Sequence, residues 1–141
     1  MDRFCDPGIA LAPSVVMPAT DDRQSLGKLG ESLACDELRR RGYSILATRH
    51  RTRFGEIDIV SIRDGRVAFV EVKARKSSRH GGAVEAVTPA KRRRISAMAL
   101  DYLAYTGRLD SPCSFAVVAI DNIGTPKMTV RVVEDAWTVD G

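Results

Sequence analysis

The sequence predicts a mixed α/β domain, a central sheet of about five strands flanked by helices, with elements in the order α-β-β-β-α-β-β. Three observations predict it. Two segments space their apolar residues three and four apart, as a helix face requires; several shorter segments rich in Val, Ile and Phe lie between turn residues; and Asp64-Gly65 separates two of these as a tight hairpin. A length of 141 residues is usual for one domain, and 44% hydrophobic with 28% charged residues is ordinary for a globular protein. No apolar run approaches the roughly 18 residues of a membrane span. Collagen, coiled coil, membrane channel and fully disordered chain are excluded.

Residues 1–24 read as a flexible tail punctuated by Pro7, Gly8, Pro13 and Pro18, and residues 25–141 as a single domain. Prolines interrupt the apolar stretch Ile9–Ala19, and Asp2 and Asp6 offset Arg3, against a signal peptide. Leu26, Leu29, Leu33, Ala34 and Leu38 define a first helix, Leu26–Arg41, with Ser25 as N-cap and Gly42 as stop. At about 100° per residue, Glu31 falls roughly 20° from Leu38, on the border of the buried stripe. Tyr43–Arg49 reads as the first strand, Glu56–Ile62 as the second and Val67–Lys73 as the third, the last two an antiparallel pair. Thr88-Pro89 supplies an N-cap and N1 proline for a second helix that Gly107 closes, with Ile95, Met98, Ala99, Tyr102 and Leu103 as its apolar stripe. Phe115–Asp121 and Met128–Val133 read as the last strands, around a turn at Asn122–Lys127, and Trp137 as a packing anchor.

Charge is unevenly distributed. The chain carries a net +4, yet Arg75–Arg94 alone holds seven Lys or Arg against Glu85, leaving the remainder slightly acidic. Such a cluster suits nucleic acid or another polyanion, and equally a solvated face. Three cysteines, Cys5, Cys35 and Cys113, form no Cys-x-x-Cys pair, which argues against a disulfide framework and a zinc site and for a reducing, cytoplasmic compartment. His50 and His80 lack ligand spacing.

Alternation along the third strand places Glu71 and Lys73 on one face, with Val67 and Phe69; Glu56 and Asp58 share a face of the strand before it. The hairpin can therefore bring Asp58, Glu71 and Lys73 together. Adjacent carboxylates repel, and a divalent cation with a preference for oxygen ligands, magnesium or manganese, relieves the repulsion. A solvated strand face with a cross-strand ion pair accounts for the same residues, and both readings stand on the sequence alone.

Gly27-Lys28-Leu29-Gly30-Glu31, Gly55-Glu56-Ile57-Asp58, Phe69-Val70-Glu71-Val72-Lys73 and Glu85-Ala86-Val87-Thr88-Pro89 occur in an order and spacing that resembles the YraN family, over about residues 26–121. That family is similar to the restriction-endonuclease-like nucleases and, within them, to Holliday-junction resolvases. The resemblance implies a restriction-endonuclease-like core and a Mg2+- or Mn2+-dependent endonuclease. Asp58, Glu71 and the Val72 carbonyl would hold the ion, with Glu31 completing the acidic cluster and Lys73 acting on the attacking water. Glu56 is the least placed of the acids, since the turn at Gly55 can aim it outward.

The implied partner is DNA with branched or structured ends, held by Arg75, Lys76, Arg79, His80, Lys91, Arg92 and Arg94, with a homodimer compatible. Lys91, Arg92, Arg93 and Arg94 sweep around the positive end of a helix, where cations are frustrated without an anion. Two departures from the family pattern stand out. Ala116 occupies the place of an acid in Phe115-Ala116-Val117-Val118, with Asp121 the nearest acid along the strand, and Arg49-His50-Arg51 replaces Asn-Tyr-Arg. Ala116 favours an alternative, a nucleic-acid-binding module with this fold and little or no turnover. A third reading is an assembly protein docking its basic face on an acidic partner.

Overall fold

The computed structural model describes residues 22–77 and 86–138. Its elements are α1 (Asp22–Arg40), β1 (Ser44–Thr52), β2 (Gly55–Arg63), β3 (Arg66–Ala74), α2 (Pro89–Tyr105), β4 (Cys113–Asp121) and β5 (Thr129–Val133). The strands form one sheet in the order β1-β2-β3-β4-β5. Three pairings are antiparallel, while β3 and β4 are parallel because the segment carrying α2 crosses between them. The mixed five-stranded sheet and the α-β-β-β-α-β-β order are those the sequence predicts.

Local signals set most boundaries. Gly42 takes a positive φ of 94°, and the Tyr43 amide bonds back to the Leu38 carbonyl at 3.0 Å, closing α1. Asp64 and Gly65 both adopt left-handed conformations, as a two-residue hairpin turn requires. The Thr88 side chain accepts from the Lys91 amide at 3.2 Å, with Pro89 opening α2.

Two boundaries differ from expectation. Helix α1 starts at Asp22, so Ser25 lies inside it instead of capping it, and the helix extends into the span read as tail. Residues 1–21 lie outside the described residues. The first strand runs to Thr52, beyond Arg49, because Arg51 and Thr52 pair with Glu56 and Gly55. Its register shifts between Ile45 and Ala47, and Arg49 has a φ of 48°.

One helix covers each face. Ala34, Cys35 and Leu38 of α1 pack with Ile59, Ala68, Val70, Ala116, Val118 and Ile120; Ile95, Met98, Ala99, Tyr102 and Leu103 of α2 pack with Ile57, Val60, Val67, Phe69 and Val117. Trp137 stacks on Phe115 at 5.0 Å and seals the α2 side, the anchoring role expected of it. His50 meets Tyr102 edge-on at 5.0 Å, a packing role. Cys35 is buried and Cys113 partly so. Among the described residues no helix is long and apolar enough to cross a membrane.

Candidate functional site

The β2–β3 ladder runs from Arg63–Arg66 to Ile59–Val70 and stops, although both strands continue. Of the nine residues of β2, Asp58 alone belongs to neither ladder. Ile57 packs on the α2 side and Ile59 on the α1 side, so the two-residue alternation breaks at Asp58. The strand is therefore not the regular one expected, yet Glu56 and Asp58 still border one cavity on the side of α1. The break swings Asp58 into the gap between the strands, where it accepts a 2.8 Å hydrogen bond from the Val72 amide. Because amide and carbonyl of one strand residue point to the same side, the Val72 carbonyl faces this gap too.

Glu71, on β3, is buried, and its carboxyl lies within hydrogen-bonding reach of Asp58. Burial first, and then the Glu71 charge, push the Asp58 carboxyl up to about 7. Two ammonium groups face the pair. Lys73 Nζ is 3.6 Å from Glu71 Oε2 and Lys91 Nζ, from the first turn of α2, is 2.5 Å from the same oxygen. Their electrostatics diverge. Burial and the adjacent Lys91 charge lower Lys73, whereas Lys91, despite burial acting against it, is raised by its bond to Glu71. Lys73 is thus the readier of the two to give up a proton, and Lys91 the fixed cation.

Glu31 reaches the same region from α1. It shares with Asp58, Val72 and Lys73 the lining of a cavity of about 360 Å³, and with Asp58, Glu56 and Arg49 that of a neighbouring one of about 220 Å³. Its carboxylate is held by Arg49 Nε at 3.2 Å. The approach of α1 depends on Gly30, since a Cβ there would stand 3.0 Å from the Ala74 Cβ. Glu56 pairs with Arg51 at 3.5 Å, on the outer rim. Among the described residues no three acidic, histidine or cysteine side chains converge as a metal cluster. The groups that could hold a hard cation are Asp58, Glu71 and the Val72 carbonyl, with Glu31 one shell out; magnesium commonly takes one or two carboxylates and fills its remaining positions with water.

The basic residues separate. Arg75 continues the β3 edge through backbone bonds with Ile120 and Ile123, and Lys76 follows, exposed. Arg79 and His80 lie outside the described residues, as does Glu85. Arg92 donates back to the Val87 carbonyl at 2.9 Å and lies over Trp137, which ties it to the segment leading into α2. Arg94 is exposed beside Gly55. The sequence reading assigned Lys91 to substrate and missed its place against Glu71. Lys91 stands four residues before Ile95, on the buried stripe of α2, which was the available signal.

Ala116 is not at the site edge. It lines a separate cavity of about 270 Å³ with Tyr43, Arg63, Ser114 and Glu134, none of which lines the cavities around Asp58. There Glu134 accepts from Tyr43 and from Arg63, each at 2.7 Å. Burial, then Glu134, raise the Tyr43 hydroxyl to about 12.

The fold and site define a three-layer α/β protein whose sheet opens at one end around two carboxyls and two lysines. The model of the family described as "Uncharacterised protein family UPF0102" matches residues 30–120, and the chain belongs to that family, the YraN family. It is 48% identical over 101 residues to a UPF0102 protein of Anaeromyxobacter dehalogenans, covering 71% of this chain and 75% of that one. Identity is 42% to the relative from Mycolicibacterium vanbaalenii, covering 82% and 88%, and 39% to that from Symbiobacterium thermophilum, covering 79% and 95%.

Proposed function

We propose that this protein is a magnesium- or manganese-dependent endonuclease that hydrolyses phosphodiesters in branched or otherwise structured DNA. The observation that carries the reading is the Asp58–Glu71 pair, two carboxyls pressed together in a gap between strands with Lys73 beside them. Two carboxyls crowded into a gap between strands gain from a cation that offsets their repulsion, and in this reading they bind it with the Val72 carbonyl. The bound ion would supply Lewis acidity toward water and the phosphate. Glu71 and Asp58 orient it; Lys73, whose burial and neighbouring Lys91 favour its neutral form, accepts the proton of the attacking water or donates to the phosphate. Glu31 and Arg49 fix the outer wall. Lys76, just past β3, and Arg94, beside Gly55, are exposed cations that offer phosphate contacts in this reading.

The binding module without turnover drew its support from Ala116. With Ala116 lining the Tyr43–Glu134 cavity, that substitution removes no carboxylate from the gap.

Incubation of the pure protein with manganese and a four-way DNA junction tests the proposal. Cleavage is expected from the wild type and from Arg93→Ala, and is expected to vanish in Asp58→Ala, Glu71→Ala and Lys73→Ala. Cleavage that survives all three substitutions, or none by the wild type across DNA structures, rejects it.

A further inference from the structure

We infer that the tip of the β1–β2 hairpin is a single-strand grip that stacks an unpaired base on Phe54 and holds the adjoining phosphates with Arg51 and Arg53. The inference rests on the nuclease reading and deepens it by naming the DNA the gap accepts, a strand with unpaired nucleotides beside the cut.

Hairpin tips are ordinarily polar or glycine-rich. Here the turn between Thr52 and Gly55 consists of Arg53 and Phe54, tied by bonds from the Thr52 hydroxyl to the Gly55 carbonyl and from the Phe54 amide to that hydroxyl, both 3.0 Å. Phe54 is 40% exposed, an unusual apolar ring for a hairpin tip, with the Arg53 guanidinium 4.9 Å from its centroid. Arg51 is 85% exposed, bound only loosely to Glu56 at 3.5 Å. Arg49, Arg51 and Arg53 follow at every second residue with no acid among residues 49–54. Arg49 is held by Glu31, Arg51 lies against Glu56 and Arg53 sits at the tip, so the three cations lead from the cavity out to the hairpin end.

Position decides what the row would grip. Arg49 and Glu56 line the same cavity as Asp58, so the hairpin runs outward from the proposed metal gap. A backbone leaving that gap would pass Arg49, then Arg51, then the tip. In a continuous duplex the base faces are hidden by stacking, and an aromatic ring at the edge finds only the backbone; an unpaired base offers its face. Guanidinium groups beside an exposed ring match the electrostatic and stacking chemistry of single-strand recognition, and they lie outside the Arg75–Arg94 segment to which sequence reasoning gave the substrate.

Fluorescence anisotropy in EDTA tests this without cleavage, using a labelled short DNA single strand and the same sequence fully paired. Phe54→Ala is expected to weaken binding of the single strand about tenfold and leave the duplex unchanged. Phe54→Trp is expected to restore binding, with its own emission quenched by the single strand. Arg51→Ala is expected to reduce the salt dependence of log K for the single strand by about 0.7. Equal effects of Phe54→Ala on both DNAs, or no effect on either, overturn the inference while leaving a metal-dependent, Asp58-requiring cleavage intact. A wild type that binds neither DNA at low salt overturns both the inference and the nuclease reading. Circular dichroism checks that each variant is folded.

Discussion

Lys91 Nζ stands 2.5 Å from Glu71 Oε2, closer than Lys73, whose Nζ is 3.6 Å from the same oxygen. The sequence pairs Glu71 with Lys73, two residues away on one strand, yet the nearer partner comes from the first turn of α2. In the absence of a cation Lys91 supplies the positive charge that lets two carboxyls sit together in a buried gap.

Removing that charge is expected to cost stability only while no metal is bound. Lys91→Met should lower the unfolding free energy in EDTA by on the order of 1–3 kcal/mol, since Glu71 is left buried without its strongest partner. Added manganese should bring the variant back toward the wild type and bind it more tightly, the competing ammonium being gone. Urea unfolding with and without manganese, together with calorimetric titration, measures both; a variant as stable as the wild type in EDTA would contradict the assignment.

Asp58 gives a pH dependence of definite sign. Its folded pKa is raised to about 7, first by burial and then by Glu71, while an unfolded aspartate titrates near 3.9, roughly. Between these values the unfolded chain binds fewer protons than the folded one, so this group's contribution makes stability fall as pH rises from about 4 to about 7. Asp58→Asn is expected to flatten that slope and to be the more stable protein at pH 8 in EDTA. Manganese should affect the wild type most at the alkaline end, where the carboxyl is free of its proton. Identical pH profiles for Asp58→Asn and wild type would remove the basis for this prediction.

Gly30 controls how near α1 comes to β3. A side chain at this position collides with Ala74, so Gly30→Val is expected to destabilise the fold by about 1–3 kcal/mol and to move Glu31 away from Asp58. Pairing it with Ala74→Gly should recover part of the loss, because the two changes meet at one contact. Thermal unfolding of the two single variants and the double variant provides the measurement, and strict additivity would count against a direct clash.

Glu134 ties Tyr43 and Arg63 together at the far end of the sheet, and the Tyr43 hydrogen bond foremost, with the Arg63 charge, holds its carboxyl below the usual range. A lowered acid contributes stability above the unfolded value, about 4.3, and loses it as pH falls through the folded one. Glu134→Ala is expected to cost about 1 kcal/mol at neutral pH and to lose less on acidification than the wild type, with the Asp58 gap and its metal affinity unaffected. Chemical denaturation at neutral and acid pH separates these outcomes; a change in manganese affinity would mean that the two ends of the sheet are coupled.

The chain itself determined what depends on neighbours in sequence. Apolar spacing set two helices, Thr88-Pro89 and Gly42 set their ends, and Asp64-Gly65 set the hairpin that aligns β2 with β3, because caps, left-handed turns and alternation are local properties of the backbone. The grouping of Asp58, Glu71 and Lys73 was legible through the hairpin and strand alternation, and the addition of Glu31 through the family resemblance. Tertiary structure decided the rest. Parting of β2 from β3 after Ile59–Val70 turned Asp58 sideways onto the Val72 amide, packing of α2 brought Lys91 to Glu71, and the parallel placement of β4 put Ala116 in another cavity altogether. Each of these joins residues remote in the chain or departs from ideal strand geometry, and such contacts are fixed by how sheet and helices share one core, not by any pattern a single segment carries.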